Sequence, residues 1–103
     1  MDNAERWADT VERLTERPDV TPGKMFGCAG LRLGTKFFAM VWHDRLVVKL
    51  PEATAAQVLA QGGEPFEPMP GRRMGGWVVP GPAADWIALA EAARTYLAEL
   101  TAS

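Results

Sequence analysis

The sequence contains only one cysteine and one histidine among its 103 residues. One thiol cannot form an internal disulfide, and this pair of residues cannot supply a zinc finger or a three-histidine metal site. We therefore predict that the protein has no disulfide, no metal ion and no bound cofactor.

The sequence also lacks a long hydrophobic run. The longest unbroken apolar stretch is Phe37–Trp42, whereas a helix needs about 20 apolar residues to span a bilayer. No basic segment leads into an apolar stretch, so the pattern of a secretory signal is missing. We expect a cytoplasmic protein without membrane contact.

Neither sign of charge dominates. Eleven Lys and Arg residues against thirteen Asp and Glu residues give a net charge of −2, which argues against a strongly basic nucleic-acid clamp or a polyanionic tail. Apolar residues make up 48% and charged residues 23% of the chain, which is typical of soluble globular proteins. The length predicts one domain over residues 1–103.

The first half of the chain combines one helix with three strands. Trp7, Val11 and Leu14 follow helical spacing in a segment that Pro18 should end. The pattern then changes to apolar runs over 25–33, 36–42 and 45–50, separated by two-residue breaks of the kind found in hairpins.

The second half predicts a short helix beginning after Pro51, two short strands and a final helix. The segment 62–82 holds six Gly and five Pro in 21 positions, and the two strands fit within it at Pro65–Glu67 and Gly76–Val79. Residues 83–101 show helical spacing of apolar side chains. The resulting fold class is a two-layer α+β domain, ordered helix–three strands–helix–two strands–helix, with one five-stranded, mostly antiparallel sheet.

Hairpin pairing divides the sheet into two faces. Pairing Val41 with Leu46, Ala39 with Val48 and Phe37 with Leu50 places these residues on the helix-covered face. Phe26, Cys28, which lies opposite Val41, and Gly30 join the same face. The opposite face then carries an unusual number of large apolar groups for a solvated surface. We predict a partner surface or homodimer interface there, formed by Phe38, Met40, Trp42, Arg45 and Lys49, with Arg72 and Arg73 as its polar rim. The alternative is that the segment 62–82, or a helix end, folds over this face.

A second functional hypothesis is direct nucleic-acid binding. Residues 23–80 carry seven basic and four acidic groups, whereas the flanking helical parts carry four and nine. The candidate contacts are Arg32, Lys36, Arg45, Lys49, Arg72 and Arg73. The competing interpretation is that exposed strands carry Lys and Arg to prevent aggregation.

No residue pattern specifies a reaction, and we predict no catalytic residues. The only imidazole, His43, is predicted in a turn with Asp44, so Cys28 is interpreted as a small buried hydrophobic residue. Glu64 and Glu67 are interpreted as solvated carboxylates. A third hypothesis, a small-ligand binder or an enzyme of unknown type, would place a pocket beside the Gly- and Pro-rich segment.

The ordered motifs of the chain resemble the N-terminal domain of the TfoX/Sxy family. The resemblance begins with the Met-Phe-Gly-x-x-Gly-Leu signature and covers about residues 20–100. Its structural motif residues are Met25, Phe26, Gly27, Gly30, Pro65, Phe66, Val79 and Pro80.

The resemblance implies a compact α+β domain and offers no catalytic residues. In the regulators that name the family, this domain precedes a helical C-terminal domain, and the full-length proteins act as co-regulators of natural competence genes alongside a cyclic-AMP receptor protein. The sequence ends at Ser103, so we expect a stand-alone copy. The resemblance favours a non-enzymatic interaction module that acts through protein partners.

Overall fold

The computed structural model describes residues 1–102, which form three helices and one six-stranded sheet. In chain order the elements are α1 (Asn3–Leu14), β1 (Val20–Met25), β2 (Cys28–Leu33), β3 (Lys36–Trp42), β4 (Arg45–Lys49), α2 (Glu52–Ala60), β5 (Glu64–Pro65), β6 (Trp77–Val79) and α3 (Trp86–Ala102). The strands lie in the order β1-β2-β3-β4-β6-β5, and every neighbouring pair is antiparallel. The predicted α+β class is confirmed, but the predicted number of strands is wrong.

The additional strand comes from a hairpin that the sequence analysis missed. The chain reverses at Phe26 and Gly27, which both have positive φ angles, 54° and 76°, as a two-residue hairpin turn requires. Residues 20–25 therefore form the edge strand β1 instead of preceding the sheet. Phenylalanine is a strong strand former and is rare in such turns, so the sequence pattern favoured one continuous strand.

The two predicted turns between β2, β3 and β4 are confirmed. Gly34 has a φ of 65°, and His43 and Asp44 have φ values of 50° and 65°. The His43-Asp44 pair is therefore part of a tight turn, where Asp tolerates the left-handed conformation.

Helix α1 begins at a complete capping box. The Glu5 amide donates to Asp2 Oδ1 at 2.8 Å, and the Asp2 amide donates to Glu5 Oε1 at 3.4 Å, which satisfies two backbone donors at the helix start. The helix ends at Leu14, before the predicted stop at Pro18. Helices α1 and α3 contact each other, and α3 also contacts β3 and β4.

The main core lies between the helices and one face of the sheet. Burial of each large apolar side chain there stabilises the fold by about 1.5–3 kcal/mol relative to an exposed position. Its least exposed members are Leu14, Leu31, Phe38, Ala39, Leu46, Val48, Leu50, Ala90 and Ala93.

An irregularity between β2 and β3 decides which side chains reach this core. Leu31 pairs with Ala39 and Arg32 pairs with Phe37, so Phe38 is an extra residue, as in a β-bulge. Both Phe38 and Ala39 consequently lie in the helix-side core. The predicted pairing of Cys28 with Val41 is wrong by one residue, because Gly30 pairs with Met40 beyond the bulge, and such a slip moves side chains to the other face. The predicted pairing of Ala39 with Val48 and of Val41 with Leu46 is confirmed.

The second face of the sheet, which we call the outer face, carries a smaller cluster. Its buried members are Met40, Val47, Phe66, Trp77 and Val79. Phe66 lies in the Gly- and Pro-rich segment, where its amide donates to the Trp77 carbonyl at 3.0 Å and its carbonyl accepts from the Met74 amide at 3.1 Å. This segment therefore covers part of the outer face, as the alternative to an open face predicted.

Candidate interaction surface around Trp42

The predicted contact residues do not all lie on the surface of the protein. Phe38 and Met40 are fully buried, so their prediction as surface contacts is wrong. The bulge turns Phe38 towards the helices, and Met40 packs in the outer-face cluster with Phe66. Neither side chain can touch a partner in the folded protein.

The other predicted contact residues lie at or near the surface, at different places. Trp42 is half-buried and pairs with exposed Arg45 at one end of β3 and β4. Lys49 is half-buried at the opposite end of β4. Arg72 and Arg73 are exposed in the loop between β5 and β6.

Trp42 is the centre of an aromatic cluster. Its ring lies 6.3 Å from that of Phe26, 5.0 Å from that of His43 and 5.5 Å from that of Phe66, with interplanar angles of 85°, 64° and 78°. These edge-to-face arrangements place the positive edge of one ring against the negative face of another. Besides its neighbour His43, two separate parts of the chain therefore contact the Trp42 side chain: the β1–β2 hairpin and the segment 62–82.

Phe26 is the member of this cluster that sequence reasoning missed. It was assigned to the buried face, but its side chain is 61% exposed at the tip of the β1–β2 hairpin. A bulky residue at a positive φ is uncommon and costs about 1–3 kcal/mol. Gly27 was the sequence signal for this turn, but the aromatic residue before it favoured a continuous strand.

A cleft of about 500 Å³ lies beside this cluster. Arg45 Nη2 and Glu64 Oε1 are 2.9 Å apart on one part of its wall, and Arg73 Nε and Glu67 Oε1 are 3.7 Å apart on another. The cleft is thus bordered by two cations and two anions around aromatic side chains. It also lies where the third hypothesis placed a pocket, beside the Gly- and Pro-rich segment.

The remaining motif residues support the fold. Gly30 pairs with Met40, and a Cβ atom there would lie 2.9 Å from the Ala39 carbonyl oxygen. The motif residues range from exposed to buried: Pro65 and Gly27 are exposed, Met25 is half-buried, and Phe66, Val79 and Pro80 are buried.

Cys28 and the His43-Asp44 pair, the reactive residue types considered in the sequence, lie at hairpin turns: Cys28 begins β2, and His43 and Asp44 join β3 to β4. Cys28 is half-buried on the outer face, not buried on the core face as predicted, and its Sγ lies 3.8 Å from the Phe26 carbonyl oxygen. The Asp44 carbonyl accepts from Asn3 Nδ2 at 2.7 Å. Among residues 1–102, no three His, Cys, Asp or Glu side chains are grouped so that they could hold a metal ion.

The six candidate nucleic-acid contacts do not form one surface. Arg45 and Arg73 are paired with carboxylates, and Lys36 pairs with Leu33, whose side chain packs against the helix-side core. Arg32 and Lys49 lie on the outer face, where they pair with Phe37 and Trp77.

Fold and site together define a two-layer α+β domain with one sheet face covered by helices and the other partly covered by a loop. The chain matches the family model described as the TfoX N-terminal domain over residues 12–96, and it belongs to that family. No curated protein and no solved structure matches it significantly. None of the helices within residues 1–102 has the length and apolar character needed to cross a membrane.

Proposed function

We propose that this TfoX-like domain is a non-enzymatic module that binds a protein partner in the cytosol. The contact surface, called the Trp42 surface below, consists of Phe26, Trp42, His43, Arg45 and Arg73. Family membership supports the general type of module, and the exposure of Phe26 supports the position of the surface.

The conformation of Phe26 is the observation on which this proposal rests. Its backbone has a φ of 54° while most of its side chain faces solvent. Asn or Gly would occupy this turn position with less strain. An exposed ring at a strained position stabilises the isolated domain little, which favours a role in contact with another molecule.

The surroundings of Phe26 suit a protein interface. Trp and Arg are the residues most often found to dominate binding energy in such interfaces, and Trp42, Arg45 and Arg73 lie around one cleft. The side chains of Arg45 and Glu64 are 46% and 61% exposed. Because an exposed ion pair contributes only about 0–1 kcal/mol, these groups can exchange partners at low cost.

The balance of charge favours a protein over a nucleic acid at this end of the molecule. The cleft has two cations and two anions in its wall, so its local charge does not select for a polyanion. We infer that the partner presents an apolar anchor flanked by both acidic and basic side chains.

Site-specific photocrosslinking tests the proposal. Phe26 is replaced by benzoylphenylalanine, which keeps an aromatic side chain at an exposed position, and the protein is irradiated in its native cells. The matched control carries the same crosslinker at Leu59, which is 39% exposed on α2. We expect a defined protein adduct from position 26, its loss when Arg45→Glu is added, and no such adduct from position 59.

The mass of the adduct shows whether the partner is another protein or a second copy of this chain. A product of twice the chain mass would identify a second copy as the partner. Absence of any adduct from position 26, or equal adducts from positions 26 and 59, would contradict the proposal.

A further inference from the structure

The end of the outer face opposite the Trp42 surface carries a second aromatic group and two cations that have no carboxylate partner among residues 1–102. Phe37 on β3 pairs with Arg32 on β2. Lys49 lies on β4, one residue beyond Val48, which pairs with Ala39. Lys49 is therefore at the same end of the sheet as Phe37. Phe37, Arg32 and Lys49 form what we call the Phe37 site. It shares no residue with the Trp42 surface.

Two glycines form the floor beneath Phe37. Gly23 and Gly30 pair across β1 and β2. A Cβ atom on Gly30 would lie 2.9 Å from Phe37 Cδ1, and a Cβ atom on Gly23 would lie 3.1 Å from Phe37 Cζ. The phenyl ring therefore rests against bare backbone while the residue remains half-buried. The position of the ring is set by this floor and needs no ligand.

The cation on one side of Phe37 is held in a defined orientation. Arg32 Nε donates to Thr21 Oγ1 at 3.2 Å, and its side chain is exposed. Among residues 1–102, no carboxylate lies within 4.0 Å of this guanidinium, and its terminal amino groups make no hydrogen bond. They are available to an anion.

The second cation, Lys49 on β4, is also unpaired among the described residues. The carbon stem of Lys49 lies beside Gly76, where a Cβ atom would be 3.9 Å from Lys49 Cγ. No described carboxylate lies within 4.0 Å of its ammonium group. The half-buried stem and the free charged end are typical of a lysine that lies along an apolar surface.

Most acidic groups of the protein lie outside residues 23–80, in the parts of the chain that hold nine acidic and four basic residues, and the helices pack against the opposite face of the sheet. The acidic residues nearest to the site along the chain are Asp19, directly before β1, and Glu52, at the start of α2. Neither forms an ion pair with Arg32 or Lys49. On the outer face, Glu64 pairs with Arg45 at the far end. The Phe37 site is therefore a local positive region on a protein of net negative charge.

We infer that the Phe37 site binds single-stranded nucleic acid, with a base stacked on Phe37 and phosphates bound by Arg32 and Lys49. Aromatic side chains next to cations form the usual surface for unpaired strands. A duplex hides its base faces, and the carboxylate side chains of an acidic peptide provide no aromatic face that could stack on the ring. This inference does not depend on the proposed protein partner.

Fluorescence anisotropy with a labelled twelve-nucleotide oligothymidine tests the inference on the full chain. Two phosphate contacts predict a salt slope of about −1.4, hence a loss of affinity of about 7-fold between 50 and 200 mM salt. Phe37→Leu keeps the apolar cover over the glycines but removes the ring, and we expect it to weaken binding by about 5-fold or more. Phe37→Tyr keeps the ring and should retain binding.

Variants that remove the positive charges of the Phe37 site can be compared with a matched control. Arg32→Gln combined with Lys49→Gln should abolish most of the binding and flatten its salt dependence. Lys24→Gln combined with Lys36→Gln removes the same charge from exposed positions on the helix-side face, and should leave affinity within about 2-fold, as expected for cations outside the site. Circular dichroism verifies that each variant is folded.

Four results would overturn the inference. The first is no saturable binding at 50 mM salt, and the second is equal affinity of wild type and Phe37→Leu. The third is a twelve-residue poly-glutamate peptide that competes as well as the oligonucleotide, which would indicate an acidic protein segment. Thymidine monophosphate that competes as well per molecule as the oligonucleotide would identify a free nucleotide as the ligand and overturn the single-strand assignment.

Discussion

The rings of Phe26 and Trp42 are 6.3 Å apart and nearly perpendicular, with an interplanar angle of 85°. This contact joins the tip of the β1–β2 hairpin to the end of β3. It brings an exposed, backbone-strained side chain to the edge of a cleft that contains two ion pairs. The predictions below separate the residues that maintain the fold from those that we assign to contact with other molecules.

Replacing Phe26 by Asn should leave stability almost unchanged while it removes the proposed contact. Relief of the positive φ is worth about 1 kcal/mol or more, and the lost ring pair costs about 0.5–1.5 kcal/mol. The two effects nearly cancel, so we expect a change in Tm of less than about 5 °C, measured by circular dichroism. Destabilisation by more than about 2 kcal/mol would assign Phe26 a structural role instead.

Truncation of the two adjacent phenylalanines tests the β-bulge. Phe38 is fully buried in the main core, and Phe38→Ala should destabilise the domain by about 3–5 kcal/mol. Phe37 is half-buried on the outer face, so Phe37→Ala should cost less, about 1–2 kcal/mol. Urea denaturation measures both. The reverse ranking would indicate the register that the sequence alone suggested.

Gly30→Ala should be destabilising because its Cβ has no room. The new atom would lie 2.9 Å from the Ala39 carbonyl oxygen and 2.9 Å from Phe37 Cδ1. We expect a loss of about 1–3 kcal/mol, measured by urea denaturation. Gly75→Ala is the control, since a Cβ there meets nothing within 4 Å. Equal stability of the two variants would contradict the close approach of β2 and β3.

Met40→Asp should prevent folding instead of dissociating a complex. The side chain is fully buried with Val47 and Phe66 around it, and an unpaired carboxylate in such a site costs several kcal/mol. We expect loss of the cooperative thermal transition. Arg45→Gln is the comparison for the surface, because loss of an exposed ion pair should change stability by less than about 1 kcal/mol. A folded Met40→Asp protein would show that the Gly- and Pro-rich segment opens readily.

Much of the fold follows from local patterns. The capping box at Asp2, the turns at Gly34 and at His43-Asp44, and the order of the later elements depend on neighbouring residues. Each is set by short-range sterics or hydrogen bonding, which the residue types reveal directly. The family resemblance implied the same α+β class, and the chain belongs to that family.

The candidate sites could be predicted only in part. Trp42 and Arg45 were correctly assigned to one face, because a tight turn sets the register between β3 and β4. The exposure of Phe26 was missed because its residue type favours a strand. Phe37 and Phe38 were assigned to the wrong faces of the sheet because no local signal marks the bulge. Lys49 and Arg45 were grouped together although they lie at opposite ends of β4.

By itself, then, the sequence determined the helices, most strands and two of the three hairpin turns that join β1 to β4, since these depend on contacts between residues close along the chain. Only the tertiary structure decided which faces are open. The bulge opposite Leu31 sends Phe38 into the core, and Phe66 covers Met40 from a segment that lacks regular periodicity. Both outcomes result from packing between distant parts of the chain, which pairwise spacing along a sequence does not encode.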